Sequence, residues 1–207
     1  MGTTEDKLSA LHFNVIILIG PQGSGKGTQA KILSEALGFF HWDNGGILRE
    51  IARKDSETGR KVKQLIDSGI LLDDETLLEV AEDKLHELDP EQGIIFDGLP
   101  RRLSQAYFLL SLLKRQGRGS VATLFIDIPE EEAYKRLQRR AQIEGRADDQ
   151  PEKVKLRLHQ YYVETVPVLD FLKAETYFVD IDGLPPIEQV TRSIYEALGI
   201  HKQICTA

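Results

Sequence analysis

The stretch Asn14 to Ala30, NVIILIGPQGSGKGTQA, constrains this chain more than any other. Val15 to Ile19 is a short, wholly apolar run, the pattern of a strand buried on both faces. It breaks into Gly20-Pro21-Gln22-Gly23-Ser24-Gly25-Lys26-Gly27-Thr28. A helical pattern follows, with Ala30, Leu33 and Leu37 on one face and Ile32 and Ala36 beside it. Strand, glycine-rich loop and helix in that order are the context of a phosphate-binding loop. The glycines permit positive φ, so successive backbone N–H groups can turn inward as an anion nest. The helix beginning near Gly25 adds its positive end, and Lys26 adds a full charge at the β- and γ-phosphates. Glycines after a strand are most often only a turn. Gly20, Gly25 and Lys26 at the spacing of the motif make the phosphate reading the better one here.

Apolar runs alternate with helical patterns through the rest of the chain, without an internal repeat, low-complexity tract or long linker, which predicts an α/β fold with a parallel sheet. Phe39 to Trp42 reads as the second strand. A strand-free region follows, with short helical patterns over Gly46–Arg53 and Glu57–Asp67 and a longer one after Asp73-Asp74, which can supply its cap. Ile94 to Asp97 is a third strand ending in a carboxylate, and Gly98-Leu99-Pro100-Arg101-Arg102 leads into the next helix. Val121 to Asp127 is a fourth strand, and Pro129 sets up a helix carrying Arg136, Arg139 and Arg140. Gln142 to Gln150 reads as a short polar loop. The helix begun by Pro151 should kink or break at Pro167. Thr176 to Asp180 is the last strand, Asp182-Gly183 a turn, and Pro186 to Leu198 the closing helix.

With 207 residues the chain can bury a full core as one domain with small insertions. A net charge of −7 argues against general affinity for nucleic acid or anionic membranes, though not against a local basic cleft. The single cysteine, Cys205, excludes an internal disulfide framework and a cysteine-based zinc cluster. No apolar run approaches membrane-spanning length, and the first residues lack the layout of a signal peptide. The expectation is a cytoplasmic monomer. His12, His41, His86, His159 and His201 show no metal-ligand spacing and read as surface or packing residues, and Tyr161-Tyr162 as packing.

The arginines carry the next argument. Arg136 and Arg140 lie four apart, so they share a helix face, and like charges at that spacing cost a few tenths of a kcal/mol unless an anion lies between them. Glu132 is placed to pair with Arg136 and Glu131 with Lys135, so a solvated, salt-bridged face is an equally good account of this helix alone. Further along, Gly145-Arg146-Ala147-Asp148-Asp149 puts another arginine in a loop, and Arg157 comes from the next helix.

Gly-Lys-Gly-Thr-Gln, with glycine directly after Lys26, resembles the nucleoside monophosphate kinases. Gly20 to Ala30, Asp97-Gly98-Leu99-Pro100-Arg101 with Gln105, and Arg136, Arg140, Gly145-Arg146-x-Asp148-Asp149 and Arg157 together resemble the adenylate kinase family in order and spacing, over roughly Asn14 to Leu198. The resemblance implies a five-stranded parallel core, an acceptor-binding insertion within residues 43–72 and a short lid within 140–149, closing over acceptor and ATP. It implies that Gly23, Ser24, Gly25, Lys26, Gly27 and Thr28 cradle the ATP phosphates, with Arg136 and Pro185 against the adenine. Arg101, Arg140, Arg146 and Arg157 would surround the phosphoryl in flight. Arg49 and Arg101 would hold the acceptor phosphate. Gln105 would read the acceptor base, with Ile70, Leu71, Leu72 and the Gly98-Leu99-Pro100 turn along that pocket. Asp97 would act on magnesium through water, and no zinc is expected.

Where the family usually has Ser-Thr-Gly-Asp, this chain has Asp43-Asn44-Gly45-Gly46. Asn44 replaces the threonine that faces the acceptor base, and Gly46 replaces the aspartate near the magnesium shell. Three functions therefore stay open at this stage: ATP and AMP converted reversibly to two ADP, a broader or pyrimidine monophosphate kinase acting on CMP or UMP, and a nucleotide sensor with little turnover. Two adaptable amides, Asn44 and Gln105, predict AMP as the best acceptor with measurable pyrimidine use.

Overall fold

In the computed structural model, which describes residues 13–68, 73–144 and 150–200, the apolar run after Asn14 forms strand β1, Val15–Ile19, buried throughout. Side-chain alternation divides it: Val15, Ile17 and Ile19 enter one core cluster, Ile16 and Leu18 another. Both faces of β1 are therefore covered, as a strand without polar side chains requires. Strands β2 (Phe40–Asp43), β3 (Ile94–Asp97), β4 (Val121–Asp127) and β5 (Tyr177–Asp182) join it in the all-parallel order β2-β3-β1-β4-β5. The chain lays β2 and β3 on one side of β1, then crosses to the other for β4 and β5. The crevice outside the carboxyl ends of the strands at such a reversal is where open α/β sheets bind ligands.

Helix α1 (Lys26–Leu37) opens at Gly25, which has φ +98° and carries no side-chain cap, so the first turn presents backbone N–H groups to the loop. At Gly20, φ is +147° and an added Cβ would strike the carbonyl oxygen of Ile126 on β4, so only glycine fits the exit from β1. The strand-free region holds α2 (Asn44–Ala52), α3 (Glu57–Ser68) and α4 (Asp74–His86). Helices α5 (Leu103–Arg115), α6 (Glu130–Glu144), α7 (Pro151–Gln160), α8 (Val166–Glu175) and α9 (Ile187–Ala197) complete the layers.

Several boundaries differ from the sequence expectation for local reasons. β2 starts one residue later, because Phe39 turns its ring into the space a Cβ of Gly93 would need while Phe40 N–H bonds Gly93 O at 2.8 Å. β5 runs to Asp182 because β4 is long enough to pair Asp127 with it. Helix α6 continues through Glu144, beyond the expected start of the polar loop at Gln142. The long helix is interrupted at Pro167, as expected, without coming to an end. Between α7 and α8 the chain forms a π-helical turn, Tyr161–Thr165, with Val166 N–H bonded to Tyr161 O. The wider turn accommodates the proline ring, which an α-helix would drive against the carbonyl four residues before it.

Candidate functional site

The carboxyl ends of β1 and β3 open on a cleft of about 1400 Å³, lined by Gly23, Gly25, Lys26, Gly27 and Thr28 of the glycine loop. Lys26 Nζ donates to Gly20 O at 2.8 Å, Pro21 O at 2.7 Å and Ser24 Oγ at 3.4 Å, so the loop folds around its own lysine. Burial pushes the Lys26 ammonium down to about 8; Asp97 opposes that shift, and the charges of Arg101, Arg157 and Arg140 add to it. Those three arginines come from the turn after β3, from α7 and from α6, and all of them line the cleft. The fold thus gathers onto one ammonium the cations that lie far apart in sequence. Arg146, Ile70, Leu71 and Leu72 fall outside the described residues, as do 145–149 of the expected lid and 69–72 of the expected insertion.

In the turn after β3, Arg101 is held three ways. Its Nε donates to Gly98 O at 2.9 Å, its N–H donates to Gln105 Oε1 at 2.8 Å, and its carbonyl accepts from Thr165 Oγ1 at 3.0 Å. The π-helical turn thereby serves the site, since it carries Thr165 and the cleft-lining Tyr161. Gln105 is 1% exposed and donates through Nε2 to Asp74 Oδ1 at 2.7 Å. Asn44 is 3% exposed at the start of α2 and accepts from Trp42 Nε1 at 3.4 Å. Neither amide is as adaptable as the sequence suggested, because each already has a partner that fixes which end points where. Gly98 and Pro100 line the cleft, whereas the Leu99 side chain is buried in the core beneath it.

Arg49 lies 3.5 Å from the Asp43 carboxylate. The same carboxylate fills the space that a Cβ at Gly46 would enter. A carboxylate therefore does stand beside this turn, contributed from position 43 rather than 46. Asp43 and Asp97 are register partners on β2 and β3, and His41 Nε2, on the same face as Asp43, is 3.8 Å from Asp97 Oδ2. His41 lines the cleft, so one of the histidines read as packing belongs to the site; nothing in its sequence spacing could have shown it.

On α6, Arg136 Nε pairs with Glu132 at 2.7 Å, as the four-residue spacing predicted, and Lys135 pairs likewise with Glu131 at 2.7 Å. Arg136 Nη1 also donates to Gly183 O at 3.0 Å, which brings the turn after β5 against its guanidinium. Leu184 and Ile187, both about half exposed, flank Pro185 there and line the cleft mouth. An exposed apolar pair beside a guanidinium plane suits a flat base. Sequence reading missed both residues, since isolated exposed leucines and isoleucines carry no signal.

A metal ion would find few protein ligands here. Among the described residues, no group of three or more His, Cys, Asp or Glu is placed to hold one. Asp97 lies against the first turn of α1, with Oδ2 3.2 Å from where a Cβ of Gly27 would sit. That arrangement fits Mg²⁺ carried in by phosphates and met through water, not a protein cage. Among the described residues, no helix is long and apolar enough to cross a membrane.

Comparison with known proteins agrees with this geometry. A family model described as "Adenylate kinase" matches residues 18–177. A protein named "Adenylate kinase" from Phocaeicola vulgatus is 38% identical over 183 residues, covering 88% of this chain and 97% of that protein. One of the same name from Thermus thermophilus is 38% identical over 185 residues, covering 89% and 97%. Another from Cyanothece sp. is 40% identical over 179 residues, covering 86% and 92%.

Proposed function

This chain belongs to the adenylate kinase family, and on that premise we propose that it transfers a phosphoryl group reversibly from Mg²⁺-bound ATP to AMP, giving two ADP. The observation that carries the reading is the convergence of Arg101, Arg140 and Arg157 on Lys26 at the glycine loop. Donor and acceptor phosphates repel strongly, and the transition state spreads charge over the equatorial oxygens of the transferred group. Fixed cations on three separate elements answer both demands, each typically worth about 10²–10³ in rate. The acceptor is an already ionised phosphate, so no side chain need remove a proton.

Lys26 would turn from the loop carbonyls onto the β- and γ-phosphates as ATP enters, with the first turn of α1 presenting N–H groups beside it. Arg136 and the Leu184–Pro185 turn would hold the adenine. Arg49 would exchange Asp43 for the acceptor phosphate, and Arg101 would bridge acceptor and transferring group. Bound Mg²⁺ supplies charge neutralisation on the phosphates, with Asp97 as its contact through water. Residues 43–72 and 140–149 are the segments we assign to closure over AMP and ATP, which excludes water and so prevents hydrolysis.

A coupled assay of ADP formation with AMP, CMP and UMP in turn tests the reading. AMP should give the highest kcat/KM. Lys26→Met and Arg101→Ala should each lower kcat by at least ~10²-fold. A tenfold preference for CMP or UMP would leave only the kinase class, and ATP binding without turnover would favour a sensor.

A further inference from the structure

A glutamine amide has a donor end and an acceptor end, and turning it over exchanges them. At Gln105 that freedom is removed. Oε1 faces the N–H of Arg101 at 2.8 Å, a group that can only donate. Nε2 faces Asp74 Oδ1 at 2.7 Å, and an ionised carboxylate can only accept. A turned amide would set donor against donor and acceptor against acceptor in a place that is 1% exposed. Asp74 is itself held. Arg102 Nη1 lies 3.2 Å from Oδ1, the Ser104 hydroxyl donates to Oδ2, and the residue sits in the first turn of α4, where a helix favours negative charge. Burial pushes its carboxyl up, but the hydrogen bonds from Ser104, Gln105 and Arg102 outweigh that and leave it below the ordinary range, so it remains an acceptor at neutral pH.

We propose that Asp74 is the positioning residue for base selection: it holds the Gln105 amide in one polarity, so the acceptor pocket takes a base edge with one order of donor and acceptor and rejects the reverse. The inference rests on the reading of Gln105 as the residue that meets the acceptor base. Tied at both ends, the amide keeps one N–H and one oxygen lone pair for the ligand. AMP offers a matching edge, an exocyclic amine that donates and a ring N1 that accepts. IMP has the same size and shape with the two roles exchanged, since its O6 accepts and its N1–H donates. Against a fixed amide, IMP in the AMP pose meets like with like at both contacts.

The test compares AMP with IMP in the wild type and in Asp74→Ala, Asp74→Asn and Ser104→Ala, by steady-state kinetics and by calorimetric Kd. Asp73 rather than Asp74 caps α4, so the helix start survives each change. The wild type should prefer AMP by about thirtyfold or more, a range expected for mismatched buried polar groups. Asp74→Ala should narrow that preference at least fivefold, through KM for AMP, with KM for ATP within twofold. Asp74→Asn keeps an acceptor oxygen and should restore most of the preference; Ser104→Ala should leave it within twofold. An unchanged AMP-to-IMP ratio in Asp74→Ala overturns the inference, as does a loss that falls equally on kcat and both KM values. A wild-type structure with AMP supplies a check that needs no variant: Gln105 parted from Asp74 or turned over also overturns it. Absence of AMP turnover in the wild type would sink the functional reading alone, because the Kd ratio still reports on Asp74; absence of AMP binding would sink both.

Discussion

Lys26 is half-buried, its ammonium held by two carbonyls and a hydroxyl as acceptors with three guanidinium charges acting against it. Its pKa falls from the ordinary 10.5 to about 8, with desolvation the first cause. Phosphate oxygens would restore the charged form, so ATP binding above pH 8 should draw in a proton. Affinity should be flat below that pH and then fall, by up to about tenfold per unit. Calorimetry at pH 8.5 in two buffers of different ionisation heat measures the uptake; none detected would mean Lys26 does not meet the phosphates. The stability consequence has the opposite sense. A depressed lysine pKa means the folded state carries an unfavourable charge below pH 8, and the penalty is relieved as pH rises from 8 towards 10.5. Lys26→Met should therefore raise Tm by a few degrees at pH 7 even as it removes turnover. A lower Tm would show that the three hydrogen bonds of Lys26 outweigh its desolvation.

Helix α4 shows how two adjacent, identical residues divide their work. Asp73 accepts from Thr76 N–H at 3.0 Å and Thr76 Oγ1 at 2.7 Å, the geometry of an N-cap, and meets Lys61 Nζ at 2.8 Å. Asp74, one residue on, points to α5 and Gln105 instead. Asp73→Ala should cost about 1 kcal/mol of stability, typical of a lost cap, with the AMP-to-IMP ratio unchanged. Urea unfolding at pH 7 measures it. The bonds from Lys61 and Thr76 hold the Asp73 carboxyl well below the usual range, so its contribution is present above about pH 4 and fades as pH falls further. Both side chains are about half exposed, which keeps the Lys61 share of this small. A cost that persists undiminished at pH 2 would exclude the carboxylate as its source. From sequence, Asp73-Asp74 read as a helix cap; which aspartate caps, and what the other one does, depends on α5 lying against α4.

Across the whole molecule, metal should come only with nucleotide. Without a group of three metal-ligating side chains among the described residues, the purified protein should retain no stoichiometric zinc and should melt at the same temperature in a chelator, while turnover in that chelator stops. Tightly held zinc by elemental analysis, or a Tm that drops in chelator, would contradict this. The strands, the glycine loop and the salt bridges of α6 were legible because each is a local pattern: an apolar run, glycines at a set spacing, charges four residues apart; the order of the strands in the sheet was not. His41 and Asp43 were not legible as site residues, because only the β2–β3 register sets them beside Asp97. The interruption near Pro167 was legible, but its form was not. A proline removes one hydrogen bond, but whether the chain stops or widens into a π turn depends on packing around Thr165 and Arg101.

By itself, the amino-acid sequence determined what short-range geometry can specify. Val15 to Ile19 had to be a doubly covered strand, Gly20 to Thr28 a turn rich in inward N–H groups, and Pro151 the start of a helix, because these follow from side-chain period and allowed φ. Tertiary structure alone decided the polarity of Gln105, the placement of His41 and Asp43 beside Asp97, and the gathering of Arg101, Arg140 and Arg157 around Lys26. The physical reason is range. Backbone propensity acts within a few residues, whereas electrostatic fields and hydrogen-bond polarity act through space between groups that the sequence holds 31 or 131 residues apart, as Asp74 and Gln105 or Lys26 and Arg157 are.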